Sequence, residues 1–186
     1  GVSQHNGVHM YLQKKLTAIV MVSAIALSGC ATTLPVNYSP SSTMTVSGAV
    51  AIAPFTYLPA TTGKVKPNQI RNTALGSAMF DQNINVLVRD AVFKELRFVG
   101  VNVKDQDKKL SGEIQEFLMD DLGYSVDWTL RVKYVVTDQS GIKYEAVKGT
   151  KRNTNKFVNI FGSLNETIKL NVEALLKDPV FVQTIQ

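Results

Sequence analysis

One side chain in this sequence stands out by both its chemistry and its position, and it is Cys30. The chain has 186 residues and a single cysteine, which closes the apolar run LTAIVMVSAIALSGC that begins at Leu16. Lys14 and Lys15 come just before this run. A short positive segment, an apolar segment and a small-residue cleavage point are the parts of an export signal. The run is shorter than the ~20 residues that a membrane-spanning helix needs, so we predict that residues 1–29 are removed rather than kept as an anchor.

The four residues LSGC at positions 27–30 resemble the lipobox of bacterial lipoproteins. The resemblance implies that Cys30 carries acyl chains such as palmitate and becomes the first residue of the mature protein. Ala31 and Thr32 follow, without the Asp that resembles an inner-membrane retention signal in enteric bacteria. We therefore expect a lipid anchor in the outer membrane and a domain that faces the periplasm.

A core helix with an incidental cysteine is the alternative for residues 16–27. Such a helix needs polar residues at helical spacing on its exposed side, but Thr17, Ser23 and Ser28 form no polar face. Residues 1–9 precede the only well-placed methionine and match no part of a signal, so they contribute nothing to the predicted fold.

Loss of residues 1–29 leaves a chain with few groups for catalysis or metal binding. Both histidines, His5 and His9, lie in the removed part. The mature chain therefore cannot build a Ser-His-Asp or Cys-His nucleophile or a zinc site of His and Cys ligands. A single cysteine also excludes an intramolecular disulfide. We predict that the protein is not an enzyme and binds no metal or cofactor, with the covalent lipid on Cys30 as its one attached group.

Length and charge divide the mature chain into a tether and one weakly basic domain. The formal net charge of +5 falls to +3 once Lys14 and Lys15 are removed, whereas a nucleic-acid-binding protein needs a clustered basic face. Residues 30–44 are uncharged and contain two prolines with several Ser and Thr, which predicts a flexible tether with a reach of ~40 Å. Residues 45–186 are long enough for one domain with an ordinary hydrophobic core.

Two segments have the apolar spacing of helices. Asn83 to Phe98 carries most of its apolar residues on one stripe, and Gly100 has the position of a C-terminal cap. The second helix is predicted to begin with Ser163 and Glu166, which have the spacing of a capping box, and to end before the Asp-Pro pair at 178–179. The apolar positions are Ile84, Leu87, Val88, Ala91, Val92 and Leu96 in the first and Leu164, Ile168, Val172, Leu175 and Leu176 in the second.

Between these helices the alternation of apolar and polar residues has a period of two, which is typical of half-buried antiparallel strands. Turns are predicted at residues 120–123 and 138–141, so residues 109–149 form a three-stranded meander. Residues 46–55 and 101–103 predict two further strands. The expected fold class is α+β, with a single mixed, mostly antiparallel sheet that holds the three-stranded meander and two helices packed on one face.

Four segments between Asn83 and Ile185 carry a family resemblance: NVLVRDAVFKELRFVGVNV, SGEIQEFLMDD, YSVDWTLRVKYVV and SLNETIKLNVEALLKD. Their order and pattern resemble those of the YajG-type outer-membrane lipoproteins. Auxiliary lipoproteins of envelope transport systems, such as the PqiC type, have a similar layout. The resemblance implies a periplasm-facing α+β domain on a lipid anchor, with no established activity and no catalytic residue to transfer.

Five acidic residues cluster around the first turn of the meander: Glu113, Glu116, Asp120, Asp121 and Asp127. Carboxylates could bind a hard cation or act as an acid pair on a glycoside. Their spacing matches no calcium-loop motif. The alternative, which we favour, is a solvated hairpin end whose charges discourage edge-to-edge pairing of strands.

A basic cluster and two aromatic residues follow the second turn and form the candidate partner contact. The set is Lys148, Lys151, Arg152, Lys156, Phe157 and Phe161. The basic side chains could contact phosphate headgroups, lipopolysaccharide or the anionic groups of peptidoglycan, or they could belong to an ordinary hydrated loop. The aromatic side chains could form an apolar contact surface or fold back to seat the second helix.

These features predict a non-catalytic binding or scaffolding protein of the cell envelope. Its expected partners are the membrane, through the acyl chains, and other envelope proteins; peptidoglycan or lipid remain open, and nucleic acid is not expected. A second hypothesis is a stoichiometric subunit of an outer-membrane machine for secretion or lipid transport. A third is an envelope hydrolase that uses the carboxylates near Asp120.

Overall fold

The meander predicted from the alternation lies at the centre of the fold. In the computed structural model the described residues are 33–73, 79–104, 106–156 and 159–186. Three long antiparallel strands lie side by side, β6 (Lys109–Asp121), β7 (Ser125–Asp138) and β8 (Gly141–Asn155). Gly123 and Gly141 adopt the left-handed backbone conformation in the two turns, with φ of 99° and 118°. Glycine reaches these angles without steric cost, which fixes where the chain reverses.

Short parallel strands extend the sheet on the other side of β6. They are β2 (Ala51–Ile52), β3 (Thr56–Tyr57) and β4 (Arg71–Asn72), and each pairs with a successive part of β6. A separate two-stranded parallel pair consists of β1 (Thr33–Leu34) and β5 (Met79–Phe80). The sheet is therefore mixed and mostly antiparallel, as predicted.

The two additional strands predicted from apolar runs are mostly wrong. Only two residues of 46–55 form a strand, and 101–103 contributes an isolated bridge between Ala49 and Asn102. The reason lies in where the backbone groups find partners. The N–H of Val46 donates to the carbonyl of Val99 at the end of a helix, 2.9 Å away, instead of to a neighbouring strand.

Two long helices lie on one face of the sheet, as predicted. They are α2 (Ile84–Val99) and α3 (Ile160–Leu176), and every apolar position predicted to face the core is buried in both. Gly100 ends α2 in the left-handed conformation, with φ of 111°. Two short helices are additional to the prediction, α1 (Leu58–Thr61) and α4 (Pro179–Ile185).

The core lies between these helices and the inner face of the meander. Trp128, Leu130 and Tyr134 of β7 are buried, whereas the alternate residues Asp127 and Arg131 point to the open face of the sheet. Trp128 is a core residue with 2% of its surface exposed. Because only one face of the sheet is apolar, one layer of helices is enough to cover it, and the α+β class is confirmed.

The last strand is longer than predicted. β8 continues to Asn155, so residues 149–155 are strand rather than loop. The inward positions of this stretch hold Thr150, Arg152 and Thr154, which are polar but at least half-buried. Alternation of hydrophobicity therefore fades although the strand continues, because its backbone still pairs with β7.

The start of α3 also differs from the prediction. The helix begins at Ile160, and the side-chain oxygen of Asn159 accepts from the backbone N–H groups two and three residues later, at 3.1 and 3.4 Å. The predicted capping box of Ser163 and Glu166 is wrong, because Ser163 is buried inside the first turn and its N–H already donates to the carbonyl of Asn159.

We predict that Gly112→Ala destabilises the fold. A Cβ atom added at Gly112 would lie 2.5 Å from Cε2 of Phe55, and such overpacking lowers the free energy of unfolding by about 1–3 kcal/mol. Urea denaturation measures this change. Gly149→Ala is the matched control, because its Cβ would meet nothing within 4 Å. Adding Phe55→Leu to Gly112→Ala should recover part of the loss, and equal stability of the two alanine variants would contradict the packing argument.

Candidate functional site

The lipidation site predicted at Cys30 lies outside the described residues, which begin three residues later at Thr33. Within the described part of the chain, no helix is long and apolar enough to cross a membrane. Residues 33–46, here called the strap, lead from Thr33 along α2 towards its C-terminal end. The strap is the part of the structure that any anchor on Cys30 would act through.

The strap is packed against the domain, so the flexible tether predicted over residues 30–44 is wrong for its described part. The side chains of Val36 and Tyr38 are buried. The N–H of Val36 donates to Oδ1 of Asp81, at 3.2 Å, just before α2 begins. Alternate apolar side chains hold the segment in place although its composition is that of a linker.

Glu95 on α2 fastens the middle of the strap. Its side chain is completely buried, and its carboxylate accepts from the hydroxyl of Tyr38 (2.6 Å) and from the N–H groups of Ser41 (3.0 Å) and Ser42 (3.3 Å). Burial and then the hydrogen bond to Glu95 raise the pKa of Tyr38 above its ordinary value. Helical spacing alone predicts that Glu95 lies outside the apolar stripe of α2. Its burial could not be predicted from that spacing, because the three donors to its carboxylate come from a distant segment.

The predicted basic cluster is not brought together. Nζ of Lys148 donates to Asp178 (2.8 Å), Nζ of Lys156 donates to Asp121 (2.6 Å), and Nη1 of Arg152 donates to the carbonyl of Ser163 (3.2 Å). These contacts tie β8 to the helices and to the first turn of the meander. The three basic side chains therefore have structural partners and do not form a shared anion-binding face.

The remaining candidate contact residues also lie apart. Lys151 is exposed on the opposite face of β8 from Lys148 and Arg152, because side chains alternate along a strand. Phe161 is half-buried and packs against the core, which agrees with the seating role rather than with an exposed contact. Phe157 lies outside the described residues.

Each acidic residue around the first turn contacts a different partner. Oδ1 of Asp120 accepts from the hydroxyl of Thr73, at 2.8 Å, and Asp127 accepts from Nδ2 of Asn153, at 2.7 Å. Glu116 pairs with Nη1 of Arg71 at 2.8 Å, and Glu113 accepts from Nε2 of Gln115 at 3.4 Å. The hydrogen bond from Lys156 lowers the pKa of Asp121. Among the described residues, no three His, Cys, Asp or Glu side chains are placed to hold a metal ion.

Sequence reasoning missed the exposed tip of the first turn. The period-two alternation predicts that Tyr124 shares the apolar face of β7, but it lies one residue before the strand begins and is 93% exposed. Leu122, on the other side of Gly123, is 54% exposed. The signal that could have found this tip is the glycine between two apolar residues, because a hairpin turn points both flanking side chains away from the core.

Comparisons with known proteins identify the fold without an activity. No protein-family model matches the chain, and no curated protein matches its sequence. A solved structure of a DUF330-family protein from Xanthomonas campestris has a TM-score of 0.61 at 13% identity, over 82% of this chain and 96% of the other. A hypothetical protein from Chlamydia trachomatis has a TM-score of 0.51 at 10% identity, over 74% and 98%.

A lipoprotein from Neisseria meningitidis has a TM-score of 0.30 at 10% identity, over 68% of this chain and 99% of the other, and we draw no conclusion from it. The first two similarities show that this fold occurs in bacterial proteins. They do not confirm the YajG-type resemblance, and identities this low carry no information on activity.

The pair of Lys148 and Asp178 predicts a pH dependence of stability. The hydrogen bonds from Lys148 and from the hydroxyl of Tyr144 lower the pKa of Asp178 to about 2. A carboxyl with a lower pKa in the folded state stabilises the fold above its unfolded pKa, and this stabilisation is lost as the pH falls through the folded pKa. Asp178→Asn should therefore lower the free energy of unfolding near neutral pH, by on the order of 1 kcal/mol because solvent partly screens the pair, and the difference should vanish towards about pH 2.

Urea denaturation of both proteins across this pH range checks the prediction. Glu145→Gln serves as the control, since Glu145 is exposed and its pairing with Lys133 is long, at 3.7 Å. A constant difference between wild type and Asp178→Asn at every pH would show that charge is not the cause.

Tyr38→Phe should loosen the strap. The change removes a hydroxyl that donates to a buried carboxylate, and hydrogen bonds to charged groups contribute about 1.5–3 kcal/mol. Tyr124→Phe is the matched control, because the ring of Tyr124 is exposed and the same atom is removed there. We expect a clear fall in the urea midpoint for the first variant and almost none for the second. Similar midpoints would mean that Glu95 does not fasten the strap.

Proposed function

We propose that this protein is a lipid-anchored lipoprotein of the bacterial envelope, held in the outer membrane by acyl chains on Cys30, with a non-catalytic binding or scaffolding domain in the periplasm. The observation that carries the proposal is the place of the chain's single thiol. Cys30 ends an export-signal pattern and stands three residues before the described domain. The YajG-type family assignment is part of the same proposal.

The structure supports a non-catalytic role by what its charged residues do. Most of the candidate basic and acidic side chains form hydrogen bonds or ion pairs with other parts of the fold. Lys151 is the candidate for which the described residues provide no such partner. We expect such a domain to bind another envelope component, and a protein is the partner class that we favour. Peptidoglycan and lipid are the other partner classes, and a place in a larger outer-membrane assembly is a more specific form of the same role.

Stable anchoring follows from the number of acyl chains. Each buried methylene contributes ~0.8 kcal/mol, so one chain binds a membrane reversibly whereas several chains hold a protein there. A lipobox cysteine is expected to carry more than one chain. The protein should therefore stay in the membrane fraction without any membrane-spanning helix.

Cys30→Ser should abolish the anchor. When the full-length protein is expressed in a Gram-negative host with radiolabelled palmitate, we expect label on the wild type and none on Cys30→Ser, because serine removes the only thiol. Intact mass of the purified protein should show cleavage before Cys30 together with the added lipid. Separation of the two membranes on a density gradient then tests the outer-membrane assignment.

Affinity purification from detergent-solubilised membranes tests which envelope proteins bind this protein. Envelope proteins that co-purify with the wild type and not with Cys30→Ser would identify the binding role. Unlabelled, uncleaved wild type in the soluble fraction would overturn the anchor and the proposed function with it.

A further inference from the structure

The first turn of the meander forms an exposed apolar tip at one end of the domain. Leu122 and Tyr124 flank Gly123 and are 54% and 93% exposed. The opposite end of the sheet is the second turn, at residues 138–141. β6 has 13 residues, so the two ends are roughly 40 Å apart at the rise of an antiparallel strand.

Two lysines lie at the same end as the tip. β4 pairs in parallel with Leu118 and Met119, close to the end of β6, and Lys64 of the preceding loop lines a surface depression together with Thr73 and Leu118. Lys64 and Lys66 in that loop are exposed. Among the described residues neither lysine has an acidic partner within ion-pair distance.

The other charged groups near this end are already engaged. Arg71 pairs with Glu116, and Lys156 pairs with Asp121. The carboxylate of Asp120 accepts from a threonine hydroxyl. Among the described cations on this side, Lys151 of β8 also forms no ion pair, but β6 and β7 separate it from the loop, so Lys64 and Lys66 are the unpaired cations at the β4 edge of the sheet.

The strap also begins at this end. Leu34 in the strap pairs with Phe80. The N–H of Phe80 donates to the carbonyl of Asn68, at 2.9 Å. The N–H of Ile84, the first residue of α2, donates to the carbonyl of Pro67, also at 2.9 Å. The start of the strap, the start of α2 and the lysine loop are thus neighbours. Three residues from Cys30 to Thr33 span at most ~11 Å, so an anchored Cys30 brings this end, and not the far one, to the membrane.

We propose that this end, consisting of the turn 122–124 and the loop with Lys64 and Lys66, rests directly on the phospholipid bilayer that holds the anchor. The inference rests on the proposed acylation of Cys30. Tyr124 and Leu122 enter the headgroup region, where amphipathic aromatic side chains are favoured. Lys64 and Lys66 contact the phosphates of anionic phospholipids. The short link to the acyl chains keeps the local lipid concentration high, so weak contacts are enough to orient the domain.

Tryptophan fluorescence of the lipidated protein tests this orientation. The full-length protein is expressed with Tyr124→Trp or with Ile142→Trp, purified after processing and reconstituted into vesicles of phosphatidylethanolamine and phosphatidylglycerol that contain a spin-labelled phospholipid as quencher. Ile142 is the matched control, since it is 62% exposed and follows the far turn. The native Trp128 is buried and gives the same background in both proteins.

We expect a blue shift and loss of most of the added emission at position 124, and neither change at position 142. Lys64→Glu combined with Lys66→Glu should restore emission at position 124, as should vesicles of phosphatidylcholine alone. Equal quenching at both positions, quenching only at 142, or quenching at neither on vesicles that carry the protein would overturn the inference.

Absence of lipid on Cys30 would be detected before the fluorescence experiment and independently of it. Flotation with vesicles and the intact mass of the protein report lipid on Cys30 before any fluorescence is measured. Protein without lipid that does not float would remove the proposed function and this inference together, whereas lipidated protein that floats without quenching at 124 removes the orientation alone.

Discussion

The single apolar face of the meander is the constraint on which the rest of the structure depends. Because the inner side chains of the meander must be covered, both long helices and α4 pack on the same side of the sheet, and the strap in turn is bonded to α2. Asn171 is a fully buried polar residue in this layer, and its side-chain amide is hydrogen-bonded. The amide of Asn171 on α3 accepts from the hydroxyl of Tyr134, at 2.7 Å, and donates to the carbonyls of Leu130 and Lys148, at 3.2 and 2.9 Å.

Strand alternation also determines on which face of the sheet each charged side chain lies. A basic sequence cluster that continues into a strand is divided between two faces, and the members on the covered face must be paired to remain there. β8 divides Lys151 from Lys148 and Arg152 in this way. Basic residues that are close together in the sequence therefore form separate contacts between the sheet and the helices, and not a shared binding patch. The exposed apolar side chains of Leu122 and Tyr124 at the first turn are left as the more distinctive surface.

The strap changes what a lipid anchor does to this domain. A free linker would let the domain stand off from the membrane and sample orientations. A segment fastened by the buried carboxylate of Glu95 leaves only the residues between Cys30 and Thr33 as a link. If Cys30 is acylated as proposed, this short link determines which end of the domain lies near the bilayer.

The α+β class, the buried stripes of both long helices and the glycine turns could be predicted from the sequence, because local residue patterns specify them. The lipidation of Cys30 is likewise a prediction from a local pattern. The sequence did not determine that residues 33–44 are packed, that β8 reaches Asn155, or which charges are engaged. These features depend on contacts between residues that are distant in the chain, so they become visible in the folded structure. Tyr38 and Glu95 are 57 residues apart, and Lys148 and Asp178 are 30 apart. No local pattern records a contact that forms only when remote segments cover the same apolar face.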